Sequence, residues 1–213
     1  MSKVYHATHV GKVRKNNEDA LIFIEPETFV VADGMGGAAA GLLASDMACA
    51  RFVAQARSGL ESQDGERDGR ILKEASEAAN RKVYHFSRES AEYYGMGTTL
   101  VAGFFRGESA VIVNIGDSRA YRLSRDGLTL VTKDHSVVQT MVDRGEITPA
   151  QARRHPRRNL ITRAVGTDAF VDCDVFEISI RKGDYFLLCS DGLTNAVEDA
   201  ELHRLVMAAN GAE

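Results

Sequence analysis

The stretch Thr28-Phe-Val-Val-Ala-Asp33-Gly-Met-Gly-Gly37 decides the fold class of this 213-residue chain. Residues 29–32 form an almost wholly apolar run rich in β-branched side chains, which predicts a strand buried on both faces. The run ends at Asp33, and three glycines follow within four residues, where the backbone can approach a ligand closely or adopt φ > 0. We therefore expect Asp33 at the rim of a sheet, although an isolated Asp-Gly pair more often marks a simple turn.

The same pattern recurs near the end of the chain. Tyr185-Phe-Leu-Leu-Cys-Ser-Asp191-Gly192 again leads from an apolar run into an Asp-Gly pair. Asp117 follows the apolar run 111–113 within Gly-Asp-Ser-Arg, where a tight turn is the alternative. Glu18 and Asp19 lie in a polar segment before another apolar run, where a solvated loop is the alternative. Acidic residues thus follow or precede several predicted strands, which indicates that they converge on one place.

Composition limits the class of protein. The length fits a single domain spanning 1–213, and 44% apolar with 26% charged residues is typical of a globular protein. The net charge of −4 gives no reason to expect nucleic acid or an anionic membrane as partner. The N-terminus carries no apolar leader, and no apolar run approaches membrane-spanning length. Three well-separated cysteines without a Cys-x-x-Cys pair indicate reduced, buried thiols in a cytoplasmic protein. We also expect the protein to be a monomer.

Periodicity predicts two long amphipathic helices followed by short strands joined by hairpins. Hairpins mean antiparallel pairing, which excludes a doubly wound dinucleotide-binding sheet and favours layered helices and sheets. An Arg-rich, Pro-containing segment at 145–158 is expected to be a mobile surface flap with a short helix near Pro149. The predicted helices are 38–57, 70–93, 134–144, 193–197 and 199–209, and the predicted strands are 4–13, 29–32, 98–105, 109–115, 119–123, 128–132, 176–180 and 185–188, with 160–165 returning to the core.

A shared cleft for these acids requires cations. Two carboxylates about 5 Å apart repel by roughly 3 kcal/mol at an effective dielectric of 20. Oxygen ligands without cysteine or histidine favour Mg²⁺ or Mn²⁺ over zinc. Two such ions can activate a shared water, and Arg14 beside the acids is a candidate for gripping a phosphate with its guanidinium group. The residues therefore predict metal-assisted hydrolysis of a phosphoester.

These motifs resemble the type 2C (PPM) metal-dependent protein serine/threonine phosphatases in their bacterial form. The resemblance implies an α+β fold, a four-layer α-β-β-α sandwich of two antiparallel β-sheets flanked by helix pairs, and phosphoserine or phosphothreonine proteins as substrates, often those of a partner Ser/Thr kinase. The matching motifs span nearly the whole chain: Arg14-x-x-Asn17-Glu18-Asp19, Val31-Ala-Asp33-Gly-Met-Gly-Gly37, Gly97-Thr-Thr99, Asn114-x-Gly-Asp117-Ser-Arg119, Asp134-His-Ser136, Arg144-Gly-Glu-Ile-Thr148, Asn159-x-Ile-Thr-Arg163 and Cys189-Ser-Asp191-Gly-Leu193.

The resemblance also implies roles for the site residues. Asp33 would bridge two core ions, Mn²⁺ or Mg²⁺, with the Gly34 carbonyl on one ion and Asp191 on the other. Glu18 and Asp19 would contact the ions largely through water. Asp117 with Asp191 would bind a third, weaker ion, Arg14 would bind the substrate phosphate, and 145–158 would influence substrate choice.

Three departures from the family pattern bear on activity. Ala38 and Leu42 occupy places where the family usually has His and Glu, so no imidazole is offered there for proton transfer. His135 is the nearest motif histidine, and we interpret it as a structural hydrogen-bonding residue. No family Asp-Asn segment, which carries a metal ligand on the last strand, follows Asp199. We therefore expect a fold lacking the C-terminal strand, and a phosphoprotein-binding pseudophosphatase remains the alternative to an active enzyme.

Overall fold

β-Branched and aromatic residues build two antiparallel sheets in the computed structural model, which describes residues 3–24, 27–60 and 67–210. The nine strands are β1 Asp19–Ile24, β2 Thr28–Met35, β3 Gly97–Thr98, β4 Leu100–Arg106, β5 Ser109–Ile115, β6 Arg119–Ser124, β7 Gly127–Leu130, β8 Asp174–Ser179 and β9 Tyr185–Cys189. The first sheet has the order β1-β2-β4-β5-β8, with β3 pairing with the end of β2, and the second has the order β7-β6-β9.

Helices cover the outer face of each sheet. The described residues form the helices α1 Ala38–Leu60, α2 Asp68–Phe86, α3 Val137–Asp143, α4 Pro149–Ala152, α5 Asp191–Ala196 and α6 Asp199–Asn210. Phe52 of α1 and Leu72 of α2 are fully buried with Phe104 of β4 in the main core. Burying a side chain of this size stabilises the fold by roughly 1.5–3 kcal/mol. On the other side of the molecule, Leu193 of α5 and Val206 of α6 pack against the second sheet.

A smaller apolar cluster lies between the sheets and completes the layers. Val101 and Ile112 of the first sheet pack there with Ala120 of the second. Val31 faces this cluster, whereas its neighbour Val30 faces the core beneath α1 and α2. The predicted α+β sandwich of four layers is therefore confirmed, and so is the covering of both faces of β2. None of the helices in the described part of the chain has the length and apolarity needed to cross a bilayer.

Some predicted elements are wrong in position. Residues 3–18 contain no strand, because side chains such as Tyr5 (78% exposed) and Val13 (92% exposed) have no surface to pack against. The predicted helix 70–93 ends at Phe86, where the chain turns, and Ser90 caps a separate 3₁₀ turn over Ala91–Tyr93. The segment 160–165 is buried only at its end, since Leu160 is 50% exposed.

Two other predictions concern segments that flank the site. Asp33 does not end its strand, because Gly34 and Met35 continue β2 by pairing with β3. The helix expected from Asp134 begins at Val137 as α3, capped by the side chain of Ser136. The predicted short helix in the flap is confirmed as α4, with proline in its first turn.

Candidate functional site

Asp19 and Asp33 lie side by side on neighbouring strands. The register of β1 and β2 places the two residues directly opposite each other, so their side chains point to the same face of the sheet. The backbone of Asp33 is held by the next strand segment: its N–H donates to Thr99 Oγ1 at 2.9 Å, and its carbonyl accepts from the Thr99 N–H at 2.9 Å. Asp33 is therefore fixed at a defined point of the sheet.

Asp117 and Asp191 lie beside the ends of two paired strands of the second sheet. Arg119 of β6 pairs with Cys189 of β9 in antiparallel register, and Asp117 lies two residues before Arg119 while Asp191 lies two residues after Cys189. Repulsion from Asp191 raises the pKa of Asp117, so the two carboxylates lie near each other. Asp191 is also the first residue of α5.

These four carboxylates, Asp19, Asp33, Asp117 and Asp191, form an acidic centre where the ends of the two sheets meet. The pKa of Asp33 is raised to about 8, mainly by burial and also by the negative charges of Asp19, Asp191 and Asp117 and a hydrogen bond with Asp191. Asp33 thus interacts with the other three acids. The structure thus brings together four of the acids that the sequence singled out, and their role as metal ligands stays a prediction.

The pKa of Asp117 is perturbed for related reasons. Burial is the main cause, followed by repulsion from Asp191 and Asp134, and together they raise this pKa to about 7. The charge of Arg119 lowers the pKa of Asp117 in part. The guanidinium of Arg119 donates two hydrogen bonds to Asp134, of 2.8 and 2.7 Å. Two of the four carboxylates therefore resist ionisation near neutral pH, and a nearby cation would relieve that resistance.

Neutral side chains orient the two outer acids. Ser190 Oγ donates to Asp19 Oδ2 at 2.8 Å, which links α5 to β1. Asn195 Nδ2 donates to Asp191 Oδ2 at 2.9 Å. No local pattern in the sequence predicts these roles for Ser190 and Asn195. For Thr99, the motif Gly97-Thr-Thr99 was a usable signal, because a hydroxyl group at a break between strands can hydrogen-bond to the backbone of a neighbouring strand.

Glu18 is held against the start of α1 by close packing of glycines. Its carbonyl accepts from the Gly34 N–H at 3.0 Å and from Ser45 Oγ at 2.7 Å. A Cβ on Gly34 would lie 2.8 Å from that carbonyl oxygen and would collide with the Gly41 carbonyl. Glycine at position 34 is therefore required for α1 and β1 to approach β2 this closely.

Arg14 is the predicted site residue for which the structure gives no contact with the acids among the described residues. It lies in the exposed segment before β1 and forms no ion pair within the described part of the chain. Its guanidinium is consequently free to meet an external anion. The proposed role in binding phosphate stays a prediction.

His135 supports the turn that carries Asp117. Its Nδ1 accepts from the Gly116 N–H at 3.1 Å, so the proton resides on Nε2, which lies 3.2 Å from Asp174 Oδ2. Burial lowers the pKa of His135. Gly116 adopts φ 105°, and its carbonyl accepts from the backbone N–H of His135 at 2.9 Å. The interpretation of His135 as a structural hydrogen-bonding residue agrees with these contacts.

The donor set fits hard divalent cations. All the candidate side chains offer carboxylate oxygens, and the raised pKa values of Asp33 and Asp117 show a local excess of negative charge. In residues 3–24, 27–60 and 67–210, no group of three or more His, Cys, Asp or Glu side chains is arranged to hold a metal ion without other ligands. Mg²⁺ does not need one, because it usually keeps several waters and takes only one or two carboxylates. Residues of the acidic centre can therefore hold such ions together with water.

Comparison of the sequence with known proteins gives a consistent family. Residues 10–209 match the family model described as Protein phosphatase 2C. The serine/threonine phosphatase stp of Listeria innocua is 36% identical over 203 residues, which cover 93% of this chain and 81% of that protein. The serine/threonine protein phosphatase PstP of Mycobacterium tuberculosis is 41% identical over 192 residues, which cover 89% of this chain and 36% of that longer protein.

Solved structures show the same similarity in three dimensions. A crystal structure of a bacterial serine phosphatase superposes with a TM-score of 0.85 at 39% identity, covering 94% of this chain and 82% of that one. The catalytic domain of PstP in complex with two manganese ions superposes with a TM-score of 0.80 at 38% identity, covering 92% of this chain and 80% of that one.

Proposed function

Because the chain belongs to the protein phosphatase 2C family, a family of metal-dependent protein serine/threonine phosphatases, we propose that its acidic centre is the catalytic metal site. The chain is a protein serine/threonine phosphatase, as its curated relatives are named over most of its length. A phosphoprotein-binding pseudophosphatase is not favoured by these relatives. The observation that carries the site assignment is the convergence of Asp19, Asp117 and Asp191 on Asp33.

We assign two core ions, Mn²⁺ or Mg²⁺, to this centre. Asp33 would hold both ions, since the other three acids act on it. The Gly34 carbonyl would contribute to one of them and Asp191 to the other, with Glu18 and Asp19 contributing largely through water. A third, weaker ion would be held by Asp117 with Asp191, whose charge acts on Asp117. The similar PstP domain with two manganese ions supports a pair of ions but is not evidence for the third.

Residues of this chain supply the binding and orientation. When bound, divalent ions provide a nucleophilic water at neutral pH and offset phosphate charge. Arg14, exposed and unpaired within the described residues, binds the phosphate of the substrate through its guanidinium fork. Ser190 and Asn195 hold Asp19 and Asp191 in the orientation described above. Loss of such supporting hydrogen bonds typically lowers metal affinity or activity 10- to 100-fold.

The proposed partners are phosphoserine and phosphothreonine proteins produced by a Ser/Thr kinase. We propose that the enzyme acts as a monomer in the cytoplasm, without nucleic acid or membrane. The net charge of −4 agrees with the lack of a nucleic-acid partner. Cys49, Cys173 and Cys189 are free and buried, as expected in a reducing compartment.

A metal-dependent assay tests the site assignment. A phosphothreonine peptide and p-nitrophenyl phosphate are incubated with wild type, Asp33→Asn, Asp191→Asn and the control Asp126→Asn, which changes an exposed hairpin residue. We expect activity with Mn²⁺ or Mg²⁺, none in EDTA, a loss of at least 100-fold in the first two variants, and wild-type rates in the control. Metal-independent turnover, or full activity in Asp33→Asn, would contradict the assignment.

A further inference from the structure

The flap carries a concentration of positive charge that the protein itself does not neutralise. Residues 144–158 contain five arginines and one carboxylate, Glu146: the arginines are Arg144, Arg153, Arg154, Arg157 and Arg158. All five are exposed. Only Arg144 has an acidic partner among the described residues, and its Nη1 lies 3.8 Å from Glu146 Oε1. This excess stands out in a chain whose net charge is −4.

Local hydrogen bonds hold these arginines in an ordered segment. Thr148 and Gln151 form a capping box at the start of α4, with proline in its first turn. After the helix, the His155 ring accepts from the Arg157 N–H at 3.1 Å. The backbone of Arg158 donates to the carbonyl of His155 at 3.0 Å. The charges are thus presented on a folded surface, which lowers the entropy lost on binding an anion.

A cavity of about 270 Å³ lies between α3 and this segment. Arg144, Arg157, Glu146 and Thr162 contribute to its walls, together with Val137 and Met141 of α3. Two guanidinium groups around one cavity match the recognition of phosphate or carboxylate, which arginine binds through two parallel hydrogen bonds. Glu146 is the opposing charge, and an entering anion would compete with it for Arg144.

Contacts tie this cavity to the acidic centre. Arg153 Nη2 donates to the carbonyl of Thr194 at 3.1 Å, in the short helix α5 that begins with Asp191. On the other side, the backbone of Thr162 donates to the carbonyl of His135 at 2.7 Å. His135 in turn supports the residue before Asp117. Hydrogen bonds from the flap and from the wall of the cavity therefore lead to the segments that carry Asp191 and Asp117.

We propose that the flap cavity binds a second anionic group of the protein substrate, either a second phosphate or the carboxylate of an acidic residue near the phosphorylated Ser or Thr. This inference rests on the proposed function, because it assigns a substrate class to the same enzyme. The acidic centre then holds the phosphate to be cleaved. Arg144 and Arg157 of the flap cavity bind a negatively charged group near that phosphate and so select for acidic substrates.

Three phosphothreonine peptides of otherwise identical sequence separate the sources of the anion. One has neutral flanking residues, one has glutamates, and one has a second phosphothreonine. For wild type at low salt we expect kcat/KM about 10-fold higher on the acidic peptides than on the neutral one, and a smaller ratio at high salt. The acidic peptide with the larger ratio identifies the preferred group.

Variants of the cavity and of an unrelated surface complete the test. The ratio of kcat/KM on an acidic peptide to kcat/KM on the neutral peptide should fall towards one in Arg157→Gln. It should rise in Glu146→Gln, which removes the competing carboxylate. Arg125→Gln, in the exposed β6–β7 turn, should keep the wild-type ratio. Equal rates on the three peptides, or a preference that survives in an Arg144→Gln, Arg157→Gln double variant, would overturn the proposal.

The failure of this inference can be told apart from failure of the proposed function. Wild type that hydrolyses p-nitrophenyl phosphate with Mn²⁺ but ignores flanking charge retains the function and refutes the flap site. Binding of the same labelled peptides to Asp33→Asn, followed by fluorescence anisotropy, tests the flap without turnover. Tighter binding of the acidic peptides there supports the flap site even if hydrolysis fails, and equal binding refutes it.

Discussion

Replacing Asp33 by asparagine should stabilise the metal-free protein while abolishing its activity. The pKa of Asp33 is raised from 3.8 to about 8. At 1.36 kcal/mol for each pKa unit, this difference corresponds to about 6 kcal/mol of free energy that the ionised carboxylate costs the folded state. That value is a ceiling, because neighbouring acids can take up the proton instead. We expect Asp33→Asn to raise the free energy of unfolding by about 2–3 kcal/mol in EDTA.

The increase in the free energy of unfolding caused by Asp33→Asn should grow as the pH rises. Below pH 3.8 the Asp33 carboxyl is protonated in both folded and unfolded chains, so it costs nothing. As the pH rises, the unfolded chain releases this proton while the metal-free folded protein retains it, and stability falls until about pH 8. Asparagine does not titrate, so the advantage of the variant should be small near pH 5 and largest near pH 9.

Urea unfolding in EDTA at these two pH values measures the effect, with Asp126→Asn as the control for loss of an exposed carboxyl. Addition of Mn²⁺ should make the wild type more stable than Asp33→Asn, because the wild type gains metal-binding energy that the variant largely lacks. A variant that is less stable than wild type in EDTA at pH 9, or a difference that does not change with pH, would refute the electrostatic reasoning.

Three further substitutions test the surroundings of the acidic centre. Gly41→Ala places a Cβ against the Glu18 carboxylate, so calorimetric Mn²⁺ affinity should fall 10- to 100-fold while the melting temperature changes by only a few degrees. Arg119→Ala leaves Asp134 largely buried without its partner, which should cost about 3–5 kcal/mol in urea unfolding. His135→Ala removes the acceptor of a buried backbone N–H, which should lower the free energy of unfolding by about 1–3 kcal/mol. In a titration with Mn²⁺, the binding step of lowest affinity should become weaker still.

Local patterns in the sequence were sufficient to predict most elements and the convergence of the acids. The alternation of short apolar runs with turn residues gave the hairpins, because a two-residue loop such as Arg125-Asp126 allows only antiparallel pairing of β6 with β7. The Asp-Gly pairs indicated which carboxylates lie near strand ends. Antiparallel register then aligns Asp19 with Asp33, which is why the site was predictable from few residues.

Features that depend on distant partners could not be predicted in this way. The apolar residues of 4–13 have strand-like composition, but a strand also requires a neighbour, and the described chain provides none there. β2 continues past Asp33 only because β3 pairs with it. The bond from Ser190 to Asp19 joins residues 171 positions apart, and no local pattern indicates such a contact.

The acidic centre also explains how the two sheets are coupled to metal binding. Asp19 and Asp33 belong to the first sheet, whereas Asp117 and Asp191 extend the paired strands of the second. The mutual repulsion of these carboxylates opposes closure of the sandwich at this end, so it lowers the stability of the folded protein when no ions are bound. The proposed cations, bound between them, would convert the repulsion into attraction across both sheets. Because such ions would bind the folded chain and not the separated acids of the unfolded one, their binding energy would add directly to stability.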